Sequence, residues 1–304
     1  MPALRVFVTG ASGHIGSALI PELLAAGHQV VGLARSDAAA AAIAGRGAEV
    51  HRGDTTDPDT FLDTVEAADG VIHLAYDHSF TDMAGAATAD LRAVEAIGDR
   101  LAGTGKPLVT TSGTLMLARR ANGVLGVETD TLDQGPRVDT ENATVALADR
   151  GVRSSVMRLA PLVHSDLDHH GFGPLLINIA RQKGVAAYIG DGANRWPGVH
   201  TRDAARLYRL ALESAPKGTR LHAVEDEGTP FRTIAETIGR RLGVPTASIS
   251  ADEALEHFGF LGVMAGADNP TSSEATRKLL GWEPEHVGLI ADLEQEHYFA
   301  SAEA

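Results

Sequence analysis

Cysteine is absent from the 304 residues of this chain. Its absence excludes disulfides, thiolate nucleophiles, and zinc or iron–sulfur sites that cysteine would hold. Long apolar runs are also missing, so the sequence offers no segment suited to spanning a bilayer. The opening residues, MPALRVFVTG, lack the apolar region and the small-residue cleavage site of a signal peptide. We therefore expect a cytoplasmic protein.

Positive charge is in short supply. The chain has 26 Lys and Arg against 40 Asp and Glu, which gives a formal net charge of −14. An acidic surface repels phosphate backbones and anionic lipid, so we expect neither nucleic-acid nor membrane partners. The length and the hydrophobic fraction of 44% suit one large globular domain or two modest ones. The partner we expect is a small-molecule substrate.

Strand-like and helix-like stretches alternate through the first half of the chain. Strands are predicted at 4–9, 28–34, 48–54, 70–75, 106–113 and 152–161, with helices at 15–27, 37–44, 58–67, 81–103 and 137–150. This alternation predicts an α/β fold, a doubly wound parallel sheet with helices on both faces. After about residue 165 helices dominate, which predicts a smaller, mainly helical substrate-binding domain over 166–304. The segment at about 200–225 is expected to return to the first sheet.

A glycine-rich turn follows the first strand and opens the first helix, in the stretch VTGASGHIG at 8–16. Glycines let the chain turn tightly and let a pyrophosphate approach the helix N-terminus, where free N–H groups favour anions. In this strand–turn–helix context the motif predicts a dinucleotide site and a Rossmann domain over 1–165; a tight turn without ligand is the alternative. The residues expected at the pyrophosphate are Gly10, Ser12, Gly13, His14, Ile15 and Gly16.

The end of the second strand favours NADP over NAD. A site for NAD usually places an acid here to hold the ribose 2′-hydroxyl, whereas this chain has Arg35 and Ser36. An arginine can pair with the 2′-phosphate of NADP. Asp37 could serve a free ribose instead, and a solvated surface position is the alternative for Arg35.

Later segments follow the same order as in a known family. These are the TGxxGxxG turn, RGD (52–54), HLA (73–75), TTSGT (110–114), RLAPLVHS (158–165) and GDGANRWPGVHTRDAARL (190–207). Together they resemble the extended short-chain dehydrogenase/reductase superfamily, the NAD(P)-dependent epimerase/dehydratase-like proteins. The resemblance implies an NAD(P)-dependent oxidoreductase. The further cofactor contacts it implies are Asp54 and Thr55 at the adenine, Leu74 and Ala75 along the cofactor, and Leu159, Ala160 and Leu162 beside the nicotinamide.

The family's catalytic tyrosine and lysine, spaced YxxxK, are missing. The resemblance places the catalytic serine at Ser112, and the pair about two dozen residues later falls on Arg137 and Glu141. None of the 4 tyrosines is followed four residues later by lysine. A protonated arginine is a poor proton donor, yet it can clamp a carboxylate or a developing oxyanion. Glu141 could accept hydrogen bonds from ribose hydroxyls; ordinary first-turn helix charges are the alternative for both residues.

Three substitutes for the missing acid remain open. Tyr76 follows the cofactor loop and could supply a proton from the other side of the pocket, with a packing aromatic as the alternative. Ser112 could orient the substrate, with a strand-end hydroxyl that caps backbone groups as the alternative. An iminium substrate would need no strong acid, since it already carries its proton. The candidate catalytic residues are therefore Ser112, Tyr76, Arg137 and Glu141.

The second half of the chain offers candidate substrate contacts, namely His164, Tyr188, Trp196 and His200. Core packing between the domains is the alternative for Trp196. The histidine- and acid-rich run at 163–173 matches no metal-site spacing, so no metal site is predicted. In relatives the helices at 81–103 and 137–150 are positions of dimerisation, and their Ala-rich faces would suit either a homodimer or packing on the sheet.

The function these features predict is reduction of a small organic carbonyl or imine by NADPH. One alternative is an NADP-binding redox sensor without turnover. Another is a nucleotide-sugar epimerase or dehydratase, which the missing tyrosine disfavours because reversible oxidation of a sugar hydroxyl needs a base.

Overall fold

The computed structural model describes residues 2–78, 81–119, 123–135 and 137–299. Within these ranges the strands are β1 (Arg5–Thr9), β2 (Gln29–Ala34), β3 (Glu49–Arg52), β4 (Gly70–His73), β5 (Pro107–Gly113), β6 (Arg153–Leu159), β7 (Leu162–His164), β8 (Ala186–Ile189), β9 (Arg195–Trp196), β10 (Gly198–His200), β11 (Thr219–Ala223), β12 (Thr229–Pro230) and β13 (Thr246–Ile249). The α-helices are α1 (His14–Ala25), α2 (Asp37–Ala44), α3 (Leu62–Ala67), α4 (Met83–Leu101), α5 (Val138–Ala146), α6 (Phe172–Lys183), α7 (Thr201–Ser214), α8 (Phe231–Leu242), α9 (Ala254–Phe258), α10 (Gly262–Ala265), α11 (Glu274–Leu280) and α12 (Leu289–Leu293).

Seven strands form the central sheet in the order β11-β6-β5-β4-β1-β2-β3, and all the pairings between them are parallel. The chain first builds outward from β1 through β2 to β3, then crosses back and builds the other half from β4. In open α/β sheets such a reversal leaves a crevice at the carboxyl ends of the strands, where ligands bind. The predicted Rossmann-type α/β fold is confirmed.

Helices cover both faces of this sheet because successive side chains of a strand point to opposite faces. In β1, Val6 and Val8 pack in one apolar cluster with Leu19 of α1. Phe7 between them packs in a second cluster with Ile97 of α4. These five side chains are fully buried, and burying each contributes about 1.5–3 kcal/mol to folding. The sheet therefore holds the carboxyl end of β1, where the glycine turn begins, in a fixed place.

The segment at about 200–225 lies with the central sheet. Helix α7 packs against α1, and β11 adds to the sheet edge with Leu221 opposite Met157 of β6. A separate apolar cluster, which includes Trp196 and Phe231, holds α6, α8 and the small two-stranded sheets together. The domain boundary near residue 165 stays a prediction. Among the described residues, no helix is both long and apolar enough to cross a membrane.

Candidate active site

The glycine turn after β1 leaves no room for a side chain at Gly10 or at Gly16. Gly10 has a φ of +65°, a region that favours glycine, and a Cβ there would lie 2.7 Å from the backbone nitrogen of Ala75. A Cβ on Gly16 would lie 2.4 Å from the carbonyl oxygen of Gly10. The N–H of Gly13 donates to that same oxygen at 3.0 Å, which closes the turn. The glycines are therefore required by the close approach of three backbone segments.

Helix α1 presents an open N-terminus at this turn. Its N-cap residue, Gly13, offers no side-chain cap, and the first turn holds no acidic residue. The unpaired N–H groups and the positive end of the helix dipole therefore favour an anion. Ser12 and Gly13 are exposed, while His14 and Ile15 are half-buried. This cradle fits the pyrophosphate of a dinucleotide.

The ring of His14 turns away from the cradle and ties α1 to α7. Its Nε2 lies 2.7 Å from Thr201 Oγ1. Burial, assisted by nearby histidines such as His169, lowers the pKa of His14 to about 4, so the ring is neutral at pH 7. What His14 offers to an anion is therefore its backbone N–H rather than a charge.

Two arginines flank the carboxyl ends of β2 and β3. Arg35 is exposed directly after β2, and Ser36 caps α2 by accepting the N–H of Ala39 at 3.2 Å. Arg52, at the end of β3, donates to the carbonyl of Ser36 at 2.6 Å and forms an ion pair with Asp37. Asp37 is thus already engaged by a cation. Arg52 was not predicted from the sequence. It is the first residue of the RGD segment, in which only Asp54 was named as a candidate.

The predicted adenine and cofactor-loop residues lie around the same edge of the sheet. Asp54 Oδ1 accepts hydrogen bonds from the N–H and the hydroxyl of Thr56, both at 2.9 Å, while Thr55 is half-buried beside it. The N–H of Ala75 donates to Thr9 Oγ1 at 3.2 Å, and Leu74 precedes it against Gly10. The loop after β4 therefore packs directly on the glycine turn.

A buried polar chain lies behind this loop and was not predicted. His73 at the end of β4 contacts Thr9 Oγ1 at 2.9 Å through Nδ1 and Asp90 Oδ1 at 3.2 Å through Nε2. Burial would raise the pKa of Asp90, but its hydrogen bond and attraction to His73 outweigh burial and lower it. The second oxygen, Asp90 Oδ2, is buried without a hydrogen bond within the described residues. These polar contacts hold the end of β4 in place, and thereby the loop that carries Tyr76.

Ser112 lies near the carboxyl end of β5. Its side chain is buried, and its hydroxyl faces Met116 Sδ at 3.6 Å, a weak acceptor. The neighbouring Thr111 is held more firmly, since its hydroxyl donates to the carbonyl of His73 at 2.8 Å and contacts Tyr208 Oη at 2.7 Å. Ser112 therefore keeps a hydroxyl that a substrate could engage.

Arg137, where the resemblance led us to expect the family's tyrosine, reaches into the site. Its φ of +64° is left-handed, the sole such value for a non-glycine residue in the described ranges. Nη2 donates to the carbonyl of Thr111 at 2.6 Å. The guanidinium carbon lies 4.0 Å from the centre of the Tyr76 ring, a cation–π contact. The structure thus brings Arg137, Tyr76 and the end of β5 together.

Glu141, by contrast, faces away from the site. Its Oε2 accepts from Arg158 Nε at 3.0 Å, and its Oε1 accepts from Arg158 Nη2 and, at 2.7 Å, from Arg220 Nε. Burial opposes ionisation, but these bonds and charges outweigh it and lower the pKa of Glu141. One turn of α5 beyond Arg137, this carboxylate is directed at β6 and β11. The expectation that Glu141 accepts hydrogen bonds from ribose hydroxyls is therefore wrong, because the carboxylate points away from the site.

Two of the predicted substrate residues lie in the interior. His164 is buried between Asp292 Oδ2 at 3.0 Å and Glu225 at 3.3 Å. Trp196 is fully buried, with its ring centre 5.1 Å from that of Phe231, so the packing alternative describes it. Both side chains are therefore enclosed by protein. Leu159, Ala160 and Leu162 are half-buried to buried at the end of β6 and the start of β7.

Tyr188 and His200 lie in two further places. Tyr188 is half-buried under the guanidinium of Arg232, whose carbon is 5.4 Å from the ring centre. His200 stacks on His286 with ring centres 4.4 Å apart and caps α7 through Nδ1. With Asp203 these two histidines form a group of ligand-type atoms within 4.8 Å of one another. Asp203 already accepts from the N–H groups of residues 285 and 286, so the group ties α7 to that segment.

A cleft of about 430 Å³ opens between α4 and residues 134, 135, 137, 139 and 140. Its lining includes Thr88 and Leu91 from α4, together with Gln134, Arg137 and Thr140. This volume falls in the range of small-molecule pockets. Arg137 therefore lies between the end of β5 and a cavity of suitable size for a small substrate.

The chain is similar in sequence to a known family and to several known proteins. Residues 6–122 match the NAD dependent epimerase/dehydratase family. The uncharacterized protein C2A9.02 of Schizosaccharomyces pombe is 48% identical over 298 residues, which covers 97% of this chain and 100% of that protein. The 2′-dehydrokanamycin reductase of Streptomyces kanamyceticus is 29% identical over 275 residues, covering 85% of this chain and 74% of the reductase.

A solved structure of similar fold is that of DesIV, a dTDP-glucose 4,6-dehydratase from Streptomyces venezuelae with NAD and TYD bound. Its TM-score is 0.74 at 18% sequence identity, and the match covers 95% of each chain. At this identity the likeness concerns the fold alone.

Proposed function

Because the chain belongs to the NAD-dependent epimerase/dehydratase family and is an NAD(P)-dependent oxidoreductase-type enzyme, we propose that it is an NADP-dependent reductase of a small organic carbonyl or imine. The observation that carries the choice of NADP is the pair of arginines at the ends of β2 and β3. Arg35 is exposed there. Arg52 forms an ion pair with Asp37, the acid that could otherwise serve a free ribose. Both cations suit a 2′-phosphate.

The residues present fit a dinucleotide. The backbone N–H groups of His14 and Ile15 would hold the pyrophosphate, in a turn where an added Cβ on Gly10 or Gly16 would collide with backbone. Arg35 and Arg52 would pair with the 2′-phosphate. When bound, NADPH supplies a hydride from its nicotinamide ring.

The substrate end of the site suits a small acceptor. Ser112 would orient the reacting group through its hydroxyl, and Arg137 would place a fixed positive charge where an oxyanion develops. The cleft beside Arg137 has room for a compact molecule. The 2′-dehydrokanamycin reductase among the relatives bears a name of the same reaction class, and a UDP-glucose 4-epimerase of Streptomyces lividans is also similar, at 26% identity, so the choice of reduction rests on the site.

The test is consumption of NADPH by the purified full chain, after binding has been confirmed by fluorescence titration. A panel of ketones, aldehydes, conjugated enones and cyclic imines would be compared with UDP-glucose and dTDP-glucose. We expect NADPH oxidation with at least one small carbonyl or imine and weaker use of NADH. Tight binding with no turnover across the panel would favour the redox-sensor alternative, and conversion of a nucleotide sugar without net cofactor consumption would favour an epimerase. Cyclic imines that consume no NADPH where ketones do would remove the imine from the proposal.

A further inference from the structure

Tyr76 and Arg137 meet across the ends of two neighbouring strands. In the sheet, His73 of β4 lies opposite Thr110 of β5, and Tyr76 follows three residues beyond His73. Arg137 enters from the start of α5 and donates to the carbonyl of Thr111, next to Thr110. Its guanidinium consequently spans the gap and covers the Tyr76 ring at 4.0 Å. The two side chains are thus placed by β4, β5 and α5; Ser112 lies on β5, and the expected YxxxK position lies at the start of α5.

We propose that Tyr76 and Arg137 together replace the missing tyrosine–lysine pair, with Tyr76 as proton donor to the substrate oxygen and Arg137 as the cation that stabilises its phenolate. The inference rests on the proposed reductase function. In this arrangement the tyrosine lies on the loop after β4, and the cation lies where the resemblance leads one to expect the family's tyrosine.

The charges around Tyr76 show why the arginine matters. Burial raises the pKa of the phenol above its ordinary value, and the charge and hydrogen bonding of Arg137 oppose that rise. Asp90 and Asp77 raise the pKa further. The ring of His78 lies with its centre 5.1 Å from that of Tyr76, and burial followed by repulsion from Arg137 lowers the pKa of His78. Arg137 is therefore the charge that favours release of the Tyr76 proton.

Arg137 is well suited to this part. A guanidinium stays protonated at all physiological pH values, so it cannot itself be the acid, and it keeps its charge while the phenol ionises. A left-handed backbone is unfavourable for a residue with a side chain. Such a conformation persists only where surrounding contacts hold it, here the bond to Thr111 and the stack on Tyr76.

A carbonyl substrate receives its hydride and its proton at different atoms. The carbonyl carbon accepts the hydride, and its oxygen takes the electron pair of the π bond together with the proton of Tyr76 Oη. Tyr76 is left as a phenolate beside Arg137, and it regains a proton from solvent before the next cycle. An alcohol and the oxidised dinucleotide leave. An iminium substrate, which carries its own proton, does not need this step.

The first experiment needs no turnover. Tyrosinate absorbance of the cofactor-free full chain is titrated with pH, and the difference between wild type and Tyr76→Phe isolates the Tyr76 titration. The same difference is measured on the Arg137→Met and Arg137→Lys backgrounds. We expect Arg137→Met to raise the Tyr76 midpoint by about one pH unit or more, and Arg137→Lys to leave it close to wild type. An unchanged midpoint in Arg137→Met would overturn the pairing.

The second experiment is kinetic and separates the pair from the proposed function. With an active ketone, Tyr76→Phe keeps the ring stack but should lower kcat by about 10²–10⁴-fold, with the dissociation constant of NADPH unchanged. Arg137→Met should also lower kcat, Arg137→Lys should restore part of it, and the surface variant Arg100→Met should match wild type. Full kcat in Tyr76→Phe would overturn the pair and leave the reductase standing. No turnover by wild type would overturn the reductase, and the titration would still decide the pairing.

Discussion

Glu141 and Arg158 form an ion pair whose side chains are 1% and 0% exposed. A second cation, Arg220, reaches the same carboxylate at 2.7 Å. The carboxylate of Glu141 therefore joins α5 to β6 and β11 at the position where we had expected the family's lysine. The two charged residues at the start of α5 therefore have different roles, because Arg137 faces the site and Glu141 faces the interior.

Glu141→Gln should destabilise the protein without weakening cofactor binding. Removing one partner of a buried ion pair leaves uncompensated buried charge, which costs about 3–5 kcal/mol in free energy of unfolding. Denaturant unfolding measures this, and Glu66→Gln, in an exposed pair with Arg100, should change little by comparison. A stable Glu141→Gln variant with weakened NADPH binding would instead assign Glu141 to the ribose.

Gly16→Ala should damage the dinucleotide cradle. The added Cβ would lie 2.4 Å from the carbonyl oxygen of Gly10, so the turn must shift and the pyrophosphate contacts must change. We expect NADPH affinity to fall by roughly tenfold or more, a cost of about 1.4 kcal/mol. Gly266→Ala is the matched control, because its Cβ would meet Ile189 at an ordinary 3.4 Å. Equal NADPH affinities for the two variants would contradict a pyrophosphate site at this turn.

Arg35→Ala and Arg52→Ala should each weaken NADPH binding much more than NADH binding. A hydrogen bond to a charged group contributes about 1.5–3 kcal/mol, so each loss should lower NADPH affinity by roughly ten- to a hundredfold. Dissociation constants for both cofactors, measured by fluorescence, give the ratio directly. Arg100→Ala, on the surface away from β2 and β3, should leave the ratio unchanged. If NADH were bound as tightly as NADPH by wild type, the account of these arginines would be wrong.

His164 should make stability depend on pH between neutral and alkaline conditions. Burial alone would lower its pKa, but hydrogen bonds to Asp292 and Glu225 outweigh burial and raise it to about 9. Since the folded-state value lies above the ordinary 6.5, the charged ring stabilises the fold fully below about pH 6.5. That contribution, on the order of 3 kcal/mol, is lost as pH rises through about 9.

The stability difference between wild type and His164→Gln should therefore shrink over this pH range. Chemical denaturation at several pH values measures it, with His170→Asn as an exposed histidine control. A difference that stays constant with pH would show that His164 is neutral in the folded protein.

Local sequence patterns were enough for the sheet and the cofactor turn. The glycine turn closes locally, since the N–H of Gly13 donates to the carbonyl of Gly10 within the same loop, and the packing of Gly10 against Ala75 only adds to this requirement. Arg35 was found for the same reason, as it directly follows β2. Arg52 was missed because its role depends on the pairing of β2 with β3, which sets Ala34 opposite Arg52.

The rest of the site depends on contacts between residues that are far apart in the sequence, which local patterns do not predict. The direction of Glu141 depends on Arg220, which lies 79 residues further along the chain. His164 is paired with Asp292, 128 residues away, and no local spacing points to that acid. The stack of Arg137 on Tyr76 likewise joins α5 to the loop after β4. Both residues were found as candidates from the motif positions, but their contact required the fold.

The most direct test of the central claim is transfer of deuterium from NADPH labelled at the nicotinamide C4 to the product of an active small ketone or imine. The reductase account predicts one deuterium at the reduced carbon, detected by mass spectrometry, when the label is on the hydride that is transferred. Both C4-labelled forms of NADPH would be used so that either face is covered. A product that carries no label from either form, or labelled NADPH that stays reduced with every substrate of the panel, would contradict the account.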